Sequence, residues 1–364
     1  MLTLIYQLGR QLFGDRTGLI ALSISAFFPQ LITYTALLAS ETPAITFFLL
    51  VLWAVLQTQR STQNTEQTHV SHGLGYWFAL GIMLYATILL RSSAMIFIGL
   101  IPLLFILFRR THWKQCAQQF IVMALTTAML LSTWIVHQNM IGGSPKMFWG
   151  TELWLGCAIQ YDRGGRYTHP KDLAFYDKVK PYYEAGTQEG LVKAYAIIGE
   201  ESMKVIQADP IKYLQYGFVR MKNILWTSQT GIRWSQRGSS LMAKWPQKWI
   251  NKSANVSTIL WQILLIGSGI GFLAILASYL FKRPLPVSNR SAAQQGLFFI
   301  AAFLGIWIVF HYLIAVASER YAFQIIPFVI LLFSGGLTTL FSLVQSLRLF
   351  TKSQPDPSVS PDLV

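Results

Sequence analysis

Glu319, Arg320 and Tyr321 stand together between two long apolar runs, residues 297–317 and 322–344. An ionised side chain inside hydrocarbon is costly, so a carboxylate and a guanidinium at such a place point to function, with a partner nearby. The guanidinium offers a planar fork of donors that matches a phosphate, and Tyr321 stands beside it, so the cluster reads as an anion site. The competing reading is a polar turn between two membrane helices, with Arg320 snorkelling to lipid phosphates.

Five more residues carry groups suited to such a site. Glu41 lies in Leu38-Ala-Ser-Glu-Thr-Pro43. There it also suits a plain helix start, because Ser40 or Thr42 can cap, Pro43 fits the first turn and a carboxylate favours the helix dipole. Arg91 sits at the tip of two short apolar stretches, where a cation needs an anion or water; a snorkelling anchor is its plainer role. His137 and Asn139 close another apolar stretch, and His311 precedes Glu319 by about two turns. A histidine at the end of an apolar stretch is more often an interface hydrogen-bonder, and a His/Glu pair alone is a weak metal signal. Convergence favours the functional reading. Glu41, Arg91, His137, His311, Glu319 and Arg320 all fall at one membrane face in the topology below, which suits a reaction on an amphiphilic phosphate substrate.

The elements that must position these residues are membrane helices. Hydrophobic residues make up 53% of the 364-residue chain and charged residues only 12%, about half the charge of a soluble domain. The net charge of +14 suggests cytoplasmic loops facing anionic lipid. No aromatic-interleaved basic groove suggests nucleic acid. No Walker loop, dinucleotide-binding glycine turn or zinc-protease motif is present, which disfavours a nucleotide-dependent enzyme. Cys116 and Cys157 offer no metal framework, and the topology puts them on opposite sides, so no disulfide is expected. Met1-Leu-Thr-Leu-Ile-Tyr lacks the charged start and cleavage site of a signal peptide.

The expected fold is all-α, a polytopic integral membrane protein of about eight spans with one extracytoplasmic helical domain. Runs of roughly twenty apolar residues place the spans near 17–38, 43–58, 76–90, 93–108, 118–137, 257–281, 296–316 and 322–346. The domain boundaries follow: 1–137 and 257–347 as membrane helices, 138–256 as an outer segment and 348–364 as a cytoplasmic tail. Lys and Arg in the short loops put both termini in the cytoplasm and 138–256 outside. Segment 60–75 is polar and reads as mobile. In the outer segment, helices are expected at 187–207, with Leu191, Ala194, Ile197, Ile198 and Val205 on one face, and from Pro210 onward, with Tyr213, Tyr216, Val219 and Ile224 on its apolar side. Trp226, Trp234, Trp245 and Trp249 fit a membrane interface, and could alternatively stack on a sugar or a polyprenyl chain.

The chain resembles the bacterial membrane glycosyltransferases that use lipid-phosphate sugars, the protein O-mannosyltransferase-like proteins and aminoarabinose transferases. The stretches carrying the likeness are Tyr6 to Arg16; Phe28-Pro29 with Ser40-Glu41; Trp134-Ile-Val-His-Gln-Asn139 with Trp154-Leu-Gly156; Ile206 to Leu214; and Glu319-Arg320-Tyr321 with Pro327. His137-Gln138 stands where arginine is common in that family. The resemblance implies a first span and an aspartate-bearing outer loop ahead of Met1, so residues 1–364 are expected to be truncated and inactive or nearly so as a transferase, while carrier binding outlasts turnover. It also implies transfer of a sugar from a polyprenyl-phosphate carrier to a protein, lipid or glycan acceptor, with a divalent metal ion as an optional helper. Glu41 and Arg320 are the expected catalytic residues, and Arg91, His137, Asn139, His311, Glu319 and Tyr321 the expected substrate contacts. The bilayer is the other expected partner, at the inner (plasma) membrane, with the active side extracytoplasmic. The rival class is a non-enzymatic lipid or polysaccharide transporter, or a binder of lipid-linked sugar without turnover.

Overall fold

The computed structural model describes residues 1–36, 40–63, 73–91, 113–140, 151–163, 169–229, 232–233, 244–280, 290–313 and 319–352. Among the described residues every regular element is helical, as expected for an all-α membrane protein. The helices are α1 (Leu2–Phe13), α2 (Asp15–Phe27), α3 (Pro29–Ala36), α4 (Glu41–Gln63), α5 (Leu74–Leu90), α6 (Trp113–Met140), α7 (Thr151–Ala158), α8 (Tyr176–Tyr183), α9 (Gln188–Ala208), α10 (Pro210–Leu225), α11 (Gln247–Leu280), α12 (Arg290–Leu313) and α13 (Ile326–Lys352). A 3-10 stretch, Glu319–Ile325, leads into α13.

Two compact units make up the chain. One holds Met1 and residues 28–261 and 299–326; the other holds residues 2–27, 262–298 and 327–364. In the second unit, α1 and α2 form a tight hairpin turned at Gly14, whose φ of 97° is a backbone conformation that favours glycine. Small residues also let α11 and α13 approach: a Cβ added to Gly336 would come within 2.0 Å of the Gly271 Cα. Thr17 and Thr338 share a hydroxyl–hydroxyl hydrogen bond of 2.9 Å.

The first unit contains the outer segment and most of the expected site residues. Here α5 and α6 pack through Gly81, whose carbonyl accepts from the Thr127 hydroxyl at 3.0 Å. Tyr76 of α5 donates to the Ala54 carbonyl of α4 at 2.8 Å. The outer helices start where their caps dictate. Thr187 accepts from the Gly190 amide at 3.1 Å and begins α9. Asp209 accepts from the Lys212 amide at 2.9 Å, and Pro210 opens α10 without wasting a donor.

Three described helical stretches are long and apolar enough to cross a membrane, Ala117–Met140, Gln247–Ser278 and Tyr321–Gln345; counting α2 and α3 as one broken span makes four. Glu41–Ala54, Leu74–Leu90 and Ile300–Leu313 are shorter apolar helices. Helices thus stand at seven of the eight expected places, and the eighth, 93–108, lies outside the described residues. The first expected span is interrupted at Phe28, because the residue before a proline disfavours the helical region. Of the expected loop 60–75, residues 60–63 continue α4, 74–75 begin α5, and 64–72 lie outside the described residues. The tail from 353 lies outside them too, while α13 runs past the expected boundary at 348.

Two expected faces need correction. On α10 the buried residues are Tyr213, Gly217, Arg220, Met221 and Ile224, and Val219 faces out. On α9 Val205 is exposed and Ser202 takes the buried place nearby. In both helices hydropathy alone chose the apolar residue, whereas packing selected one able to hydrogen-bond a buried carbonyl.

Candidate active site

Glu41 is the first residue of α4, and Arg91 follows the last residue of α5. Their helices pack side by side, so one helix start and one helix end bring the two charges together. Arg91 Nη2 donates to Glu41 Oε1 at 2.5 Å. The two side chains retain only 12% and 6% of their exposure, so the pair is shielded from water. Ser40 Oγ lies 3.5 Å from the other carboxylate oxygen.

The 3-10 stretch covers this pair. The Arg91 guanidinium carbon lies 5.5 Å from the centre of the Tyr321 ring, in range for a cation–π contact. Tyr321 in turn lies 5.3 Å from the His311 ring, which stacks on Trp307 at 4.0 Å. His311 Nδ1 is 2.9 Å from the Trp307 carbonyl. A carbonyl only accepts, so Nδ1 carries the hydrogen. The Trp307 indole donates to Gln324 Oε1 at 3.1 Å, tying α12 to the 3-10 stretch. Tyr34 of α3 packs on Phe323 at 4.3 Å.

Of the expected site residues, Glu41, Arg91, Tyr321 and His311 therefore meet. His137 and Asn139 are exposed near the end of α6, and the ring contact of His137 is with Trp134 at 6.0 Å. Two residues apart on a helix, they point in directions about 200° apart and cannot both face one site. The backbone of Glu319 and Arg320 runs in the 3-10 stretch directly before Tyr321, while their side chains lie outside the described ones. Trp234 and the side chains of Trp154 and Cys116 also lie outside; Trp226, Trp245 and Trp249 are exposed and Cys157 is buried.

Gln30 and Arg220 are among the buried polar residues that sequence reasoning missed. Gln30, at the start of α3, is 1% exposed, and among the described residues neither its side-chain oxygen nor its nitrogen has a hydrogen-bond partner. A polar residue beside a proline break in an apolar run was its signal. Arg220 of α10 is fully buried. It donates to the carbonyls of Ala158 at 3.0 Å and Tyr312 at 2.8 Å, and lies 4.4 Å over the Tyr213 ring. Burial pulls its pKa below the ordinary arginine value and pushes that of Tyr213 up. Its place seven residues after Tyr213, on the same helix face, could have revealed it.

Among the described residues no group of three or more His, Cys, Asp or Glu could hold a metal ion. Those residues do not form a cation cage, and no step below passes through one.

Comparison with known families matches residues 1–137 to the family described as dolichyl-phosphate-mannose-protein mannosyltransferase. No curated protein and no solved structure matched. The matched segment runs from α1 into α6 and includes Glu41 and Arg91. The match covers 137 of the 364 residues, and over that segment the chain is similar to this family.

Proposed function

We propose that this protein transfers a sugar from a polyprenyl-phosphate carrier to an extracytoplasmic acceptor, a protein, lipid or glycan, in the cell (plasma) membrane. The observation that carries the reading is the shielded Glu41–Arg91 pair, covered by Tyr321 and set within the segment that matches the mannosyltransferase family. In the proposed reaction an acceptor hydroxyl oxygen attacks the anomeric carbon as the bond from that carbon to the carrier phosphate breaks. The hydroxyl proton passes to a carboxylate, and the departing phosphate gains negative charge. Arg320 and Arg91 meet that charge with charge-assisted hydrogen bonds. An arriving phosphate competes with Glu41 for the Arg91 guanidinium. A carboxylate released in this way is a stronger acceptor for a hydroxyl proton, so Glu41 is the acidic group the site offers to orient the acceptor. A low-dielectric surrounding strengthens each of these contacts.

A second reading is a binder of lipid-linked sugar without turnover. It is favoured by the fact that Glu41 Oε1 already takes a hydrogen bond from Arg91. Purified protein in vesicles, given polyprenyl-phosphate sugars and candidate acceptors, separates the two. Sugar transfer that falls by about two to four orders of magnitude in Glu41→Gln supports the transferase. Carrier binding with no transfer supports the binder.

A further inference from the structure

Helix α10 is fastened to membrane helices at two points. Near its start the Tyr213 hydroxyl donates to the Leu313 carbonyl, and the Tyr312 hydroxyl donates to the Leu214 carbonyl. Arg220 adds its bond to the Tyr312 carbonyl at 2.8 Å. The last carbonyls of a helix have no partner within it, so α10 caps the end of α12, and the guanidinium meets the negative end of that helix dipole. This explains how a fully buried arginine is held among carbonyls and tyrosine rings. Past the other end of α10, the Trp261 indole donates to the Leu225 carbonyl at 2.5 Å, and the Ser228 amide donates to Thr258 Oγ1 at 3.3 Å. Both of those partners belong to α11. A helix of sixteen residues is about 24 Å long, and this one is held at both ends to apolar helices, so it lies across them.

A face of α10 beside the buried one is apolar and uncovered. Ile211, Leu214 and Phe218 recur at helical spacing, with Ile211 67% and Phe218 71% exposed. Through Phe218 the surface they form runs into the exposed apolar strip of α12. The Phe218 ring lies 5.2 Å from that of Tyr312, and Val309 and Leu313 on α12 and Ile259 and Leu260 on α11 are also exposed. Lys222, four residues after Phe218, is exposed on the same side and long enough to reach a lipid phosphate. Trp226 and Trp249 add exposed indoles, which favour the headgroup level.

We infer that α10 is an interfacial helix, its Ile211–Leu214–Phe218 face seated in the leaflet of the bilayer into which α11 and α12 run. The occupant of this face is lipid, because beside Tyr312 the surface adjoins the exposed apolar residues Val309 and Leu313 of the membrane helix α12. The inference stands independently of the transfer reaction.

The test places a photoactivatable benzoylphenylalanine at Phe218 of the full chain, or at Gln207 as an exposed polar control, in vesicles of phosphatidylcholine and phosphatidylglycerol. The expected result is a phospholipid adduct at 218 several-fold above that at 207. Adducts joining two copies of the chain, or equal lipid labelling at both sites, overturn the inference. As a second measurement, nitroxide labels at positions 211 and 218, with Cys116 and Cys157 replaced by alanine, should report oxygen-rich surroundings about 5–10 Å below the phosphates. Labels as open to a water-soluble relaxant as one at 207 contradict it.

Discussion

Arg91 Nη2 lies 2.5 Å from Glu41 Oε1, across fifty residues of chain. Both side chains are almost entirely withdrawn from solvent. Removing one partner leaves the other charged and buried, which typically costs about 3–5 kcal/mol, whereas replacing both with apolar groups of similar size is often close to neutral. Glu41→Leu and Arg91→Met are each expected to destabilise the protein by roughly this amount, and Glu41→Leu/Arg91→Met to recover most of it. Thermal unfolding in detergent, arranged as a double-mutant cycle, checks this. Additive losses would show that the pair contributes no coupling.

Gly217 sets how closely α10 approaches α12. A Cβ at this position would come within 2.5 Å of the Tyr312 ring, whose hydroxyl is held by the Leu214 carbonyl. The ring cannot shift without losing that bond. Gly217→Ala is expected to cost about 1–3 kcal/mol, the usual range for overpacking. Tyr312→Phe should make the same glycine substitution less harmful, because the ring is then free to move. An alanine variant with unchanged unfolding midpoint contradicts this account of the contact.

Helix positions were legible in the sequence where a cap or a proline marked them. Thr187 and the pair Asp209-Pro210 announce α9 and α10 to within a residue, since each satisfies orphan amides at a helix start. Glu41 and Arg91 were legible as costly charges at the ends of apolar runs, and Tyr321 as the neighbour of Glu319 and Arg320. Their pairing was not, because it depends on the packing of α4 on α5 rather than on local spacing. His137 was assigned to the site by position along the membrane and Asn139 by the family resemblance; both are exposed on α6. Depth in a bilayer says nothing about which side of a helix a residue takes. Arg220 was passed over because a charged residue on an amphipathic helix is normally given to the solvent face.

Topology rests on the lysines and arginines of the short loops. A cysteine engineered at Ala185, which is exposed in the segment before α9, is expected to react with a membrane-impermeant thiol reagent added to intact cells. One at Asn64 should react only after the membrane is opened. The reverse pattern would place the outer segment in the cytoplasm and remove the extracytoplasmic site with it.

The central claim is that this site holds the phosphate of a lipid-linked sugar, and equilibrium binding tests it most directly. Purified protein in vesicles is titrated with a labelled polyprenyl-phosphate sugar and competed with polyprenyl phosphate alone. Saturable binding that the sugar-free phosphate displaces is the expected result. Arg320→Lys keeps the charge and loses the bidentate fork, so it should weaken binding about 10- to 100-fold, the loss of one charge-assisted hydrogen bond, while expression and unfolding stay unchanged. Binding that is equal in wild type and Arg320→Lys, or that polyprenyl phosphate fails to displace, contradicts the account.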